Sequence, residues 1–90
     1  MRRAVGPTAL IYEWLEAHSD GERWDALLAW IRAVAVDPDM VTSGRFVKGR
    51  RVVHFAHIPR ARTRASFIVV DVPALAIHLV ELDDDKYEEP

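Results

Sequence analysis

The sequence predicts an α+β domain: an N-terminal antiparallel helical hairpin packed on a three- to four-stranded antiparallel sheet. Three observations carry that prediction. Apolar residues recur at three- and four-residue spacing up to Val36, and beyond Pro38 the period falls to two. The chain has 90 residues, half of them hydrophobic, enough for one thin core and therefore one domain over residues 1–90, with 83–90 an acidic tail.

Taken in order, Thr8 is placed to cap a first helix, and Leu10, Ile11, Trp14 and Leu15 fall on one of its faces. That helix should end near His18, whose charge would suit the helix dipole there. Ser19-Asp20-Gly21-Glu22 reads as a capping box with Ser19 as the cap. Trp24, Leu27, Leu28, Ile31, Val34 and Ala35 form the apolar stripe of a second helix, with Trp30 on its flank. Asp37-Pro38-Asp39 stops it, because proline lacks an N–H and disfavours the helical conformation in the residue before it.

Val52 to Ile58, Ala65 to Val70 and Leu75 to Leu82 are short runs rich in Val, Ile and Phe, separated by Pro-containing connections. They read as an antiparallel meander, with Val5 supplying a short fourth strand. Side chains alternate across a strand, so parity assigns faces. Odd positions (Val53, Phe55, Phe67, Val69, Ile77, Leu79) should pack on the helices, leaving His54, Arg64 and His78 together on the other face. That even face also carries Val52, Ala56, Ile68 and Val80, more apolar than a purely solvated surface. A partner or a second copy of the chain should cover part of it.

The net charge of −2 hides a strong asymmetry: residues 1–39 sum to −3, residues 40–70 to +7 with no acid among them, and residues 71–90 to −6. A basic middle of Arg45, Lys48, Arg50, Arg51, Arg60, Arg62 and Arg64 points to a local anionic partner. With no cysteine there is no disulfide framework and no thiolate metal site. His spacing gives no metal-ligand pattern, and no metal or other cofactor is expected. No apolar run reaches the roughly 18 to 20 residues of a membrane span, and the basic start lacks the apolar stretch of a secretory signal. A cytoplasmic protein without membrane contact is the expectation.

"YEWLEAHSDGERWDALLAWIRAVAVDPD", "RFVKG" and "RTRASFIVVD" follow one another as a helical hairpin ending at a proline, a short basic-Gly segment, and a strand led by a basic residue and closed by Asp. In this order they resemble the RelE/ParE superfamily of bacterial toxin–antitoxin toxins, over about residues 8 to 82. The resemblance implies a toxin silenced by an antitoxin protein. In the ribosome-dependent branch it implies metal-independent mRNA cleavage, in which the 2′-hydroxyl attacks the neighbouring phosphate. Such chemistry needs a base, an acid and positive charge for the phosphorane.

By that likeness Arg64 contacts the phosphate, while His54 and His78 flank it as proton-transfer groups. Tyr87 matches a tyrosine that some members carry after the last strand. Arg45, Lys48, Arg50, Arg51, Arg60 and Arg62 would widen the RNA footprint. Glu81-Leu82-Asp83-Asp84-Asp85 stands where many RNase members carry basic residues, which permits a gyrase-directed relative that does not cut RNA, or a member that has lost toxicity. The alternative is a non-catalytic α+β interaction domain, a degenerate toxin-like fold or a homodimer through the even face, whose basic patch only holds an acidic protein partner.

Overall fold

A computed structural model describes residues 2–84. The chain runs β1 (Ala4–Gly6), α1 (Thr8–Ala17), α2 (Gly21–Val36), a 3-10 turn (Pro38–Val41), β2 (Gly44–Lys48), β3 (Arg51–Ile58), a second 3-10 turn (Pro59–Ala61), β4 (Thr63–Val70) and β5 (Ala76–Asp84). The α+β class and the helical hairpin are as expected. The sheet is larger and mixed: it has five strands in the order β1-β5-β4-β3-β2, with β1 parallel to β5 and every other pairing antiparallel. The basic segment around Phe46, expected as a connection, is the edge strand β2, a position where Arg45 and Lys48 discourage edge-to-edge aggregation. Among the described residues no helix is long and apolar enough to cross a membrane.

Helix capping differs by one residue from the expected box. Asp20, not Ser19, caps α2, its carboxylate accepting from the backbone N–H of Glu22 at 2.9 Å and of Arg23 at 3.4 Å. A carboxylate there also meets the positive end of the helix dipole. Pro7 rather than Thr8 occupies the cap of α1. The tryptophans of α2 exchange roles. Trp30 is buried against the sheet, while Trp24 is 40% exposed at the first turn and donates its indole N–H to the His18 carbonyl at the end of α1. The inward stripe is therefore Leu27, Trp30 and Val34, with Trp14 from α1.

The parity expectation holds for β4 and the first half of β5 and fails for β3. His54 lies opposite Phe67, Ala56 opposite Ala65, and Ile58 opposite Thr63, so each β3 residue faces a β4 residue of the other parity. The 3-10 turn between the strands, closed by Arg62 in the left-handed conformation (φ 50°), sets that offset. In consequence His54, Ala56 and Ile58 turn toward the helices with Ala65, Phe67, Ile77 and Leu79, whereas Phe55 and Val53 lie on the other face, where Val53 is nonetheless buried at 6% exposure.

A second change of parity comes from a β-bulge at Ser66/Phe67: Phe67 opposes Leu79 while Ser66 opposes Glu81, leaving Val80 between them. Beyond it Leu82 and Asp84 face the helix layer, and Glu81 and Asp83 do not. The bulge thereby delivers Asp84 to the junction of α1 and α2. There Asp84 Oδ1 accepts from Arg23 at 3.0 Å and lies 2.9 Å from His18 Nε2. Arg23 Nε donates to the Ala61 carbonyl at 2.7 Å, and Trp14 Nε1 donates to Thr63 Oγ1 at 3.1 Å. This end of the sheet is clamped to both helices.

Candidate nucleic-acid interface

Both helices pack on one side of the sheet, leaving the opposite face uncovered among the described residues. Cross-strand register maps that outer face row by row. Lys48 and Arg51 form one row, Phe46 and Val53 the next, then Gly44, Phe55, Ser66 and Glu81, and finally His57, Arg64 and Asp83. Ile68 lies opposite His78 on the same face, beside Gly6 of β1.

Phe46 and Phe55 tilt together with ring centroids 6.4 Å apart, and His57 meets the edge of Phe55 at 6.1 Å. Gly44 makes this packing possible, because a Cβ there would come within 2.5 Å of the Phe55 ring. The ring covers the glycine's backbone across the strand pair, a stabilising device at a sheet edge. Aromatic faces on an open sheet, bordered by cations, suit single-stranded RNA, whose unstacked bases lie on rings while phosphates follow the positive charge.

The expected residues distribute unevenly over this surface. Arg64 is exposed on the outer face at the head of β4, the middle strand, and directly opposite His57. His78 shares the face but lies opposite Ile68, four residues further along β4 and so roughly 13 Å from Arg64. His54 is a correction: it faces the helices, 8% exposed, and stacks on Phe67 at 5.2 Å. Thr42 gives its hydroxyl proton to the Pro38 carbonyl at 2.7 Å, so in the 3.4 Å contact with Thr42 the ring Nδ1 of His54 is the donor. Loss of hydration on burial, and secondarily the positive charge of Arg45, lower the pKa of His54 against a raising influence of Asp39. His54 is a neutral packing residue. Tyr87 lies outside the described residues.

The basic middle of the chain is also not one patch. Lys48, Arg50 and Arg51 cluster at the β2–β3 turn, whereas Arg60, Arg62 and Arg64 sit at the other end of β3, roughly 23 Å away at the rise of a strand. Arg45 is paired with Asp39 at 2.8 Å, and Arg62 approaches Asp20 at 3.6 Å. Among the described residues Lys48, Arg50, Arg51, Arg60 and Arg64 make no ion pair. Two of the seven cations are thus internally compensated; Lys48, Arg51 and Arg64 bracket the aromatic rows, whereas Arg60 lines a hollow with Glu22 and Asp25 of α2.

Two site residues escaped the sequence. His57, adjacent to Arg64 across the strand pair, was hidden by the offset between β3 and β4, and Phe55 was assigned to the core by the same error. A signal existed in Gly44, since glycine in a strand often marks a close approach by a ring or another backbone. Among the described residues no three His, Asp or Glu side chains gather as a metal site. No protein-family model matches the chain, and searches of curated proteins and of solved structures found no match.

Proposed function

We propose that this protein is a toxin of the RelE/ParE type that engages single-stranded mRNA on the outer face of its sheet and is neutralised by an antitoxin protein. The observation that carries the reading is the placement of Arg64: exposed, without an ion pair among the described residues, at the head of the middle strand and opposite an imidazole. In this reading Arg64 holds the scissile phosphate and stabilises the negative charge that builds on it. His57 takes the proton-transfer position first expected of His54, and Phe46 and Phe55 stack bases on either side of Gly44. Lys48 and Arg51 follow the strand of phosphates.

Induced expression of the chain alone should arrest growth, and Arg64→Ala should relieve the arrest while the purified variant remains folded by circular dichroism. In vitro, Arg64→Ala should weaken binding of a single-stranded RNA oligonucleotide by about tenfold, the loss of a charge-assisted phosphate contact. His57→Gln should retain binding and lose cleavage, read as the absence of 2′,3′-cyclic phosphate ends. Harmless expression together with no RNA binding would overturn the proposal.

Glu81 and Asp83 on the β5 side of the same face favour a second reading, because carboxylates there repel phosphates. In that reading the domain binds a protein target, DNA gyrase among the candidates, without cutting RNA. Growth arrest without RNA cleavage, with gyrase recovered on the immobilised chain, is the result that would select it.

A further inference from the structure

The outer face carries more than a nucleic acid would use. Its β2–β4 half presents Lys48, Arg51 and Arg64, and its β5 side presents Glu81 and Asp83. Among the described residues none of these five is in an ion pair. Shape is divided in the same way. Phe46 stands 46% exposed on β2, whereas the β1–β5 side is hollowed into a trough of about 410 Å³ where Gly6, Pro7, Ala76 and Val70 keep the surface low beside His78. A uniformly anionic polymer matches one half of this surface and is repelled by the other.

We propose that a second copy of this chain docks on the outer face, by a two-fold axis running along β4. The strand order makes this axis special. Because β4 is the middle strand, rotation about it sets β3 of one copy over β5 of the other, and β2 over β1. Residues of one register row then meet residues of the same row. Phe46 of one copy descends on the trough beside Gly6 of the other, since Val53 and Phe46 share the level of Ile68, His78 and Gly6. At the far end, Asp83 of one copy lies over His57 of the other and diagonal to its Arg64, so the two Arg64 side chains meet on the axis with an Asp83 on either side.

Knob thereby meets trough at one end of the face, and at the other the pair of arginines on the axis is flanked by the two Asp83 carboxylates. Strands of 3, 9, 8, 8 and 5 residues in sheet order, about 4.8 Å apart and rising about 3.3 Å per residue, give a face of roughly 500 Å², so two copies bury about 1,000 Å² in total. That area sits at the lower bound of specific interfaces, and the dimer should be weak, with a Kd in the micromolar range of about 1 to 100 μM. The inference does not depend on RNA binding; if both hold, dimer and RNA compete for Phe46 and Arg64.

Sedimentation velocity of the full chain from about 1 to 300 μM tests it, over the concentrations a micromolar dimer requires. The expected result is a monomer–dimer equilibrium that Phe46→Asp weakens by at least about tenfold, Phe46 being exposed enough for the change to leave the fold intact by circular dichroism. Arg64→Glu and Asp83→Arg should each weaken the dimer on their own, and combining both in one chain should restore it, since the cation and the carboxylate have only exchanged copies. The double variant would not regain RNA binding, so rescue reads self-docking alone. A chain monomeric at every concentration overturns the proposal. If that monomer binds an RNA oligonucleotide, the face belongs to nucleic acid; if it binds none, the face belongs to a different protein. A double variant no better than either single change overturns it as well.

Discussion

His54 and His57 stand three residues apart on β3 and face opposite ways. His54 is buried on the helix-facing side, stacked on Phe67, its N–H spent on Thr42 just past the 3-10 turn. His57 is exposed on the uncovered face beside Phe55 and opposite Arg64. The same contrast separates the whole helix-facing side from the outer side. Trp30, Phe67 and His54 pack ring to ring with Phe67 wholly buried, while Phe46 and Phe55 meet above a glycine with solvent beyond them. Residue type does not divide the faces, since aromatic rings and imidazoles occur on both. What divides them is the layer of helices, which packs on one set alone.

The largest effect that would break this comparison is a cavity. Phe67→Ala should cost about 3 to 5 kcal/mol, because the ring is 0% exposed and its neighbours Trp30 and His54 cannot both move in to fill the space. Phe55→Ala should cost less than about 2 kcal/mol, since part of that ring already meets water. Urea midpoints at constant m-value measure both. Equal losses would mean that the outer face is as well covered in solution as the inner one.

A smaller effect tests the covered imidazole by pH. The pKa of His54 is lowered on folding, so the folded state disfavours its charged form. Its contribution to stability is complete above the unfolded value of 6.5 and is lost as pH falls below that value. Denaturation at pH 7.5 and at pH 5 should show a loss on acidification that His54→Phe reduces. An acid loss that His54→Phe leaves untouched would overturn the assignment of His54 to the covered face.

Most of the fold was legible, because helix period, the Pro38 stop and the strand runs are local signals. Trp14, Leu27 and Val34 fell where their spacing put them, and so did Phe67, Ile77 and Leu79. The site was less legible. Faces were assigned by a parity common to all strands, but parity is carried from strand to strand by the connections. A four-residue link with Arg62 in the left-handed region shifts it once, and the Ser66/Phe67 bulge shifts it again. Neither is encoded by hydrophobicity, and together they moved Phe55 and His57 out, His54 in, and Asp84 toward the helices. The apparent single basic patch failed for a related reason: residues close in sequence at the two ends of an extended strand are far apart in space.

Asp84 supplies the smallest test, and it probes the clamped end of the sheet against the open face. Its carboxylate pKa is held below the ordinary carboxylate value of 3.8, chiefly by the hydrogen bond with His18 and then, against a raising influence of burial, by Arg23. A lowered acid contributes stability above its unfolded pKa, and that contribution disappears as pH falls through the folded one. The side chain is 61% exposed, so water and salt screen the interaction, and Asp84→Asn should cost only about 0.5 kcal/mol at neutral pH. Adding salt should shrink that cost, and the same substitution at Asp83, which faces away from His18 and Arg23, should leave stability unchanged. If instead Asp83→Asn carries the larger cost in dilute solution, the bulge does not aim Asp84 at the helices and the second parity change is wrong.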